Sequence, residues 1–225
     1  LPLVNSSERI GPCIGQVGKV VCIGLNYSDH AAEAGMDLPT EPVLFMKATS
    51  AICGPNDPIQ IPRGAEKTDW EVELAIVIGK KTKYISEEES MDHIAGFCLA
   101  NDLSERAFQL ERLGSWDKGK SHDSFAPIGP YLVTKAEIVD PQNLTMFTDI
   151  NGERFQNGNT NTMVFDAKTI VAYLSQFMTL EAGDVIMTGT PPGVGMGQSP
   201  QKYLKAGDTV RIGIEGLGEQ NQLCI

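Results

Sequence analysis

Glu71 and Glu73 stand one residue apart in Thr68-Asp69-Trp70-Glu71-Val72-Glu73-Leu74-Ala75-Ile76-Val77-Ile78-Gly79, whose second half is too apolar and β-branched for a solvated loop. It reads as a buried strand. Strand side chains alternate faces, so residues 71, 73, 75 and 77 share one side, with the two carboxylates about 6.6 Å apart. At an effective dielectric of about 20 their repulsion is on the order of 2.5 kcal/mol before any desolvation cost. Either a cation offsets that repulsion or the two acids sit at a wet strand end facing water. A third acid, Asp102, follows the apolar Ile94-Ala95-Gly96-Phe97-Cys98-Leu99 and Ala100-Asn101, so it ends a second expected strand. Three carboxylates can then converge. An all-oxygen set suits Mg²⁺, Mn²⁺ or Ca²⁺, whereas zinc normally recruits His or Cys. Read alone, Asp102 serves equally well as a turn or helix-capping acid before Ser104.

A second pair lies in Asn26-Tyr27-Ser28-Asp29-His30-Ala31-Ala32-Glu33-Ala34-Gly35, where Ser28 or Asp29 can cap a short helix that Gly35 ends. His30 and Glu33, at i and i+3, share a face. An imidazole beside a carboxylate is what a general base for water requires, because the acid fixes the tautomer and stabilises the imidazolium that forms. Without further context such a pair is commonly a surface helix contact.

The elements that must position these residues are mostly strands: Val20 to Gly24, Val43 to Lys47, Ile59 to Ile61, Glu71 to Ile78, Gly96 to Asn101, Gly129 to Thr134, Thr145 to Ile150, Asp184 to Thr188 and Thr209 to Glu215. The clearest helix is Asp166 to Met178, with Ile170, Val171, Leu174, Phe177 and Met178 on one stripe and Gly183 beyond its end. Ser86-Glu87-Glu88-Glu89 has the form of a capping box and predicts a short helix between the two acid-bearing strands. Leu180-Glu181-Ala182-Gly183-Asp184 and Leu204-Lys205-Ala206-Gly207-Asp208 resemble each other, each a turn feeding a strand. No regular βαβ alternation appears, so the class is α+β, a mostly β mixed sheet or roll.

With 225 residues, 41% of them hydrophobic, the chain can build one sizeable core, and no linker-like composition divides it. Acidic residues outnumber basic ones 29 to 18, for a formal net charge of −11, which disfavours nucleic acid and anionic membrane as partners. An anionic small substrate then needs a local positive site. Five cysteines without a C-x-x-C pair, lying mostly in apolar stretches, match a reducing cytosol. No apolar run approaches the roughly 20 residues of a membrane span. The start Leu1-Pro2-Leu3-Val4-Asn5 carries neither a charged leader nor a cleavage pattern, so an untargeted cytoplasmic protein is expected; beginning with Leu, it is also expected to lack residues upstream. Gly189 to Gly197 is not a phosphate loop, since no Gly-Lys-Ser/Thr follows and Pro200 interrupts any helix.

The ordered set Gly24-Leu25-Asn26-Tyr27 with His30 and Glu33, then Trp70-Glu71-Val72-Glu73, Asn101-Asp102, Lys118-Gly119-Lys120-Ser121 and Thr188-Gly189-Thr190-Pro191-Pro192-Gly193-Val194-Gly195 resembles the fumarylacetoacetate hydrolase superfamily from about Val20 to the C-terminus. Each piece is weak and the combination is specific. The resemblance implies the β-rich roll of that family's C-terminal domain, usually a homodimer, with Mg²⁺ or Mn²⁺ on Glu71, Glu73 and Asp102. It implies a water-activating pair at His30 and Glu33 on a lid, and an active-site lysine at Lys120, with Lys118 the competing choice. Lys47 matches a second pocket lysine, Arg106 and Gln109 match residues near the substrate, Thr190 matches a threonine that binds substrate oxygen, and Tyr27 joins the substrate-binding set. For each Lys and Arg the plain alternative is a solvated surface charge. Residues 1–19 are expected to be the remnant of an N-terminal region and residues 20–225 the catalytic domain. Leu25 stands where many relatives have Arg and His122 where an aromatic is common, and both bear on substrate identity; His93 is expected to be a bystander.

The chemistry so implied is hydrolysis of a carbon–carbon bond in a 2,4-diketo acid, yielding a 2-keto acid such as pyruvate and a second acid. The longer runs Phe108 to Arg112, Trp116 to Lys120, Glu66 to Trp70 and Ile214 to Gln220 resemble the branch acting on 2,4-diketo-3-deoxy sugar acids derived from fuconate or rhamnonate. There a polar pocket is expected, with Gln109 or His122 bonding a substrate hydroxyl. Ureidoglycolate lyase, oxaloacetate decarboxylase or tautomerase, and a non-catalytic binder of small carboxylates are the competing readings.

Overall fold

The structure, a computed structural model, describes residues 8–33 and 35–225. Residues 1–7 of the expected N-terminal remnant lie outside the described residues. Two sheets carry the architecture. The larger has six strands in the order Val43–Lys47, Val20–Gly24, Val185–Met187, Val72–Ile78, Ile94–Asn101 and Val133–Thr134. Only Val20–Gly24 and Val185–Met187 run parallel; every other neighbouring pair is antiparallel. The smaller is an antiparallel sheet of Glu153–Asn159, Thr145–Ile150, Thr209–Ile214 and Gly218–Leu223. Its inner strands approach Val72–Ile78 and Ile94–Asn101, so the core lies between the two sheets. This is the mixed α+β, mostly β arrangement that the sequence predicts.

All seven residues of Val72–Ile78 are buried, which explains a run without the polar alternation of a half-exposed strand. Its pairing with Ile94–Asn101 builds the site. Val72 lies opposite Asn101 and Glu73 opposite Ala100, and one step further the Asp102 N–H donates to the Glu71 carbonyl at 2.9 Å. The ladder therefore brings all three acids to one end of the sheet. The intervening helix is Glu87–His93, with its capping box closed by the Ser86 N–H donating to Glu89 at 2.9 Å.

The Ala167–Phe177 helix begins at Asp166, whose side chain accepts from the Thr169 N–H at 2.8 Å. Ile170, Val171 and Leu174 are buried, but Phe177 is 61% exposed and leaves the expected stripe. It is the last helical residue and stacks on Tyr173 at 4.8 Å instead of reaching the core. The two similar turns are true structural copies. Asp184 accepts from the Glu181 N–H at 2.7 Å and Asp208 from the Lys205 N–H at 2.9 Å, while Gly183 and Gly207 take φ of +89° and +94° before the next strand starts.

Two expected strands shrink and two unexpected ones appear. Ile59–Ile61 makes only a bridge from Ile59 to Cys224, and of 129–134 only Val133–Thr134 pairs as a strand. Glu153–Asn159 and Gly218–Leu223 were not expected as strands; both edge the smaller sheet and are mostly polar and partly exposed, so no apolar period marks them. All five cysteines are unpaired, and no described helix is long and apolar enough to cross a membrane.

Candidate active site and metal centre

Each of Glu71, Glu73 and Asp102 offers an oxygen within 4.8 Å of the others, and all three residues are buried. Buried cations answer two of them. Lys120 donates to Glu71 Oε2 and Asp102 Oδ2, each at 2.8 Å, and Lys47 donates to Asp102 Oδ1 at 2.5 Å and to the Leu103 carbonyl at 2.9 Å. Arg106 Nη2 lies 2.6 Å from Glu71 Oε1, although its N–H is not aligned for a hydrogen bond. Burial opposes ionisation of Glu71, yet Lys120 and Arg106 overcome it and hold the carboxyl at about 2. Burial likewise opposes the Lys120 ammonium, and Asp102 with Glu71 keeps it above its ordinary value.

Glu73 is different. Its carboxylate accepts from the Gly189 N–H at 2.8 Å, and it has no ion-pair partner among the described residues. Burial first, then Asp102 and Glu71, push its carboxyl well above the usual range despite Lys120 nearby. A divalent cation fits this place: it would meet three hard oxygens and supply the charge that Glu73 lacks.

His30 Nδ1 lies 3.1 Å from Glu33 Oε2, and the Glu33 carboxylate also accepts from the Gly193 N–H at 3.0 Å. The helix that carries them is Ser28–Glu33, as expected. With Nδ1 engaged by Glu33, Nε2 is the nitrogen left to take a proton. A Cβ at 197 would sit 2.7 Å from the Glu33 carboxyl carbon, so glycine there lets the loop lie against this acid without displacing its side chain.

His30 faces the same cleft as Glu71, Glu73, Arg106, Gln109, Lys120 and Thr190, a space of about 690 Å³ open to solvent. Much of the remaining wall is apolar: Leu25, Met36, Phe45, Leu110, Trp116 and Met196. Trp116 stacks edge-on against Phe45 at 5.2 Å and is admitted by Gly24, where a Cβ would come within 2.8 Å of the indole. Leu25, a non-glycine residue at φ +52°, turns into the cleft from the end of the Val20–Gly24 strand. No sequence period marks this wall, because its members come from five separate segments.

The other candidate residues take several different places. Tyr27 is fully buried, its hydroxyl 3.3 Å from Met146 Sδ and outside the cleft, because its segment bridges to Met163 and turns the ring into the core. Lys47 lies behind Asp102 and does not line the cleft; it neutralises an acid instead of meeting substrate. Thr190 lines the cleft, but its Oγ1 donates to the Val72 carbonyl at 2.9 Å and accepts from Gln156 Nε2 at 2.8 Å. Lys118, the competing lysine, caps the Arg112 carbonyl at the surface, whereas Lys120 reaches the acids. His122 sits off the cleft between Phe108 and Phe125, its Nε2 buried without a partner, so it is not placed to bond substrate there. His93 bonds Thr82 at 2.8 Å and stays away from the site.

The residues that hold this site lie within a span, 19–223, that matches the family model described as fumarylacetoacetate (FAA) hydrolase, C-terminal. A protein of Burkholderia cenocepacia (strain HI2424), provisionally named a hydrolase, is 63% identical over 223 residues, which cover 99% of this chain and 79% of that protein. The solved fumarylacetoacetate hydrolase of the psychrophilic Exiguobacterium antarcticum superposes with a TM-score of 0.85 at 42% identity, covering 92% of this chain and 74% of the other. A 2-hydroxyhepta-2,4-diene-1,7-dioate isomerase from Mycobacterium marinum gives a TM-score of 0.84 at 40% identity, covering 96% and 77%. Fold, acid cluster and sequence match agree, and the chain belongs to the fumarylacetoacetate hydrolase family through its C-terminal domain.

Proposed function

We propose that this chain is a divalent-metal-dependent hydrolase that cleaves the C3–C4 bond of a 2,4-diketo acid. The observation that carries the reading is the His30–Glu33 pair facing the same cleft as the three converging carboxylates. Held by Glu71, Glu73 and Asp102, Mg²⁺ or Mn²⁺ would supply Lewis-acid polarisation of the substrate's keto acid end. His30 Nε2 takes a proton from water, and Glu33 stabilises the imidazolium. The water oxygen bonds to C4, the C3–C4 bond breaks, and its electron pair passes to C3, which takes the proton held on the His30 imidazolium to give pyruvate and a carboxylic acid. Lys120 and Arg106 provide positive charge beside the oxygens that become anionic.

The departing half of the substrate lies against the remaining wall. Met36, Leu110, Trp116 and Met196 support an apolar chain there and count against the hydroxylated tail of a sugar acid, which the longer sequence match favours. Gln109 is the polar group left in that region, and its Oε1 already accepts from Arg106 Nη1 at 3.1 Å. The isomerase reading draws support from likeness to solved proteins named isomerases, the M. marinum enzyme among them, since a base that deprotonates water can also move a proton between carbons. We further assign residues 20–225 as the catalytic unit and a cytoplasmic homodimer as the working form.

A panel separates these readings: acylpyruvates of increasing chain length, a 2,4-diketo-3-deoxy sugar acid, oxaloacetate, ureidoglycolate and a 2-hydroxy-2,4-diene-dioate, each with and without Mg²⁺. Pyruvate plus a free acid, dependent on the metal, is the expected outcome. A spectral shift without bond cleavage identifies an isomerase, carbon dioxide or glyoxylate identifies the decarboxylase or lyase, and silence throughout points to a binder.

A further inference from the structure

One buried carboxylate beside the cleft takes no part in the chemistry above. Asp69 is fully buried, and four donors from three chain segments fill its lone pairs. Oδ1 accepts from the N–H groups of Trp70 at 2.8 Å and Gly195 at 2.6 Å. Oδ2 accepts from Arg106 Nε at 2.8 Å and the Met196 N–H at 3.0 Å. The loop comes this close because residue 195 is glycine; a Cβ there would lie 2.0 Å from the Lys202 carbonyl and 2.8 Å from Asp69 itself.

What separates Asp69 from a merely structural acid is where its partners end. Glu105 is equally buried, but it accepts from the Lys67 and Ala107 N–H groups and the Thr68 hydroxyl, none of which lines the cleft. The partners of Asp69 Oδ2 are both cleft walls. A guanidinium is a rigid fork, so fixing Nε orients its other two nitrogens. Nη1 then donates to Gln109 Oε1 at 3.1 Å and Nη2 stands 2.6 Å from Glu71 Oε1. We propose that Asp69 is a positioning residue that aims Arg106 between Gln109 and the cation-site acid Glu71, and anchors the Met196 wall beside it.

The test is Asp69→Asn in the full chain. An asparagine carbonyl can keep the Trp70 and Gly195 donors, while its amide nitrogen faces Arg106 Nε and the Met196 N–H, donor against donor. Arg106 is then released towards its other acidic neighbour, Glu71. Calorimetric titration with Mn²⁺ is expected to show affinity about tenfold weaker than wild type, and KM on whichever panel substrate is turned over should rise more than kcat falls. In an Arg106→Met background the same Asp69→Asn change should alter Mn²⁺ affinity by less than about twofold, because the residue it acts through is gone. An equal loss in both backgrounds, or no loss in either, overturns the proposal. Asp69→Glu keeps the charge and displaces the carboxylate by one methylene, so it should also weaken Mn²⁺ binding; wild-type affinity there would show that charge alone matters. The proposal rests on the acids forming a cation site, and wild-type titration tests that separately: no saturable Mn²⁺ binding overturns both, whereas normal wild-type binding with unshifted variants overturns Asp69 alone.

Discussion

Exchanging Glu73 for Gln should leave the metal-free protein at least as stable as before while removing its response to Mn²⁺. The neighbouring carboxylate oxygens lie within 4.8 Å, and at an effective dielectric of about 20 each like-charge pair costs about 3.5 kcal/mol. In the metal-free protein, burial and then Asp102 and Glu71, offset only in part by Lys120, raise the Glu73 carboxyl well above the usual carboxylate range. Below about pH 4.5, where Glu73 is protonated in folded and unfolded chains alike, a neutral glutamine of nearly the same shape changes stability by less than about 1 kcal/mol, and at higher pH the variant is the more stable of the two. Wild type at a Mn²⁺ concentration one hundred times its dissociation constant gains about 2.7 kcal/mol, or about 5–10 °C in Tm for a chain of this size, and the variant should lose most of that gain. The sign of the pH dependence follows from the same group. Its folded value lies above the ordinary 4.5, so between the two values the unfolded chain has released a proton that the folded one keeps. Metal-free wild type should therefore lose stability as pH rises from about 4.5 through the folded value, and Glu73→Gln should lack that slope. Thermal unfolding in EDTA and in MnCl₂ across pH reads all three quantities. A metal-free variant destabilised by more than about 3 kcal/mol, or a Mn²⁺-induced rise as large as that of wild type, refutes the reasoning.

His30→Gln should lower kcat by about 100-fold or more on the substrate that the panel identifies, with Mn²⁺ affinity unchanged by calorimetry, because it removes the base and no metal oxygen. Lys47→Met should destabilise the fold by about 3–5 kcal/mol in urea unfolding, since Asp102 would lose one of its two buried cations and a methionine offers no donor to the Leu103 carbonyl. Gly193→Ala should cost several kcal/mol and lower kcat as well: its φ is +101°, a Cβ there would lie 2.0 Å from the Phe155 carbonyl, and displacing the loop detaches its N–H from Glu33.

What was legible in the sequence was local. The Asp166 cap, the Ser86–Glu89 box, the helix ended by Gly35 and the twin Gly-Asp turns each depend on residues three or four apart, and all are present. Strands with apolar runs, such as Val20–Gly24, Val43–Lys47 and Thr145–Ile150, were visible to the residue. The edge strand Glu153–Asn159 was not: a single residue of its seven is buried, and it is ordered by pairing with Thr145–Ile150. Phe177 erred in the other direction: apolar and in phase, it is the last helical residue and stays 61% exposed, while Met178 beside it packs against the core.

The site divides along the same line. Glu71 and Glu73 could be read because two acids at period 2 in an apolar strand pose an electrostatic problem that only a few partners solve, and the ladder between residues 72 and 101 then brings Asp102 beside them. Which cation faces which acid could not be read this way. Lys47 and Asp102 are 55 residues apart and Asp69 and Gly195 are 126, so their pairing is a property of the closed fold. Lys47 shows the consequence: the family resemblance suggests a pocket lysine, but behind Asp102 it serves to cancel charge, leaving Glu73 as the acid without an ion-pair partner among the described residues. That imbalance is what a bound cation can correct, so the lysines and the arginine, by satisfying Glu71 and Asp102, concentrate the unmet demand for positive charge at one oxygen pair within reach of the cleft.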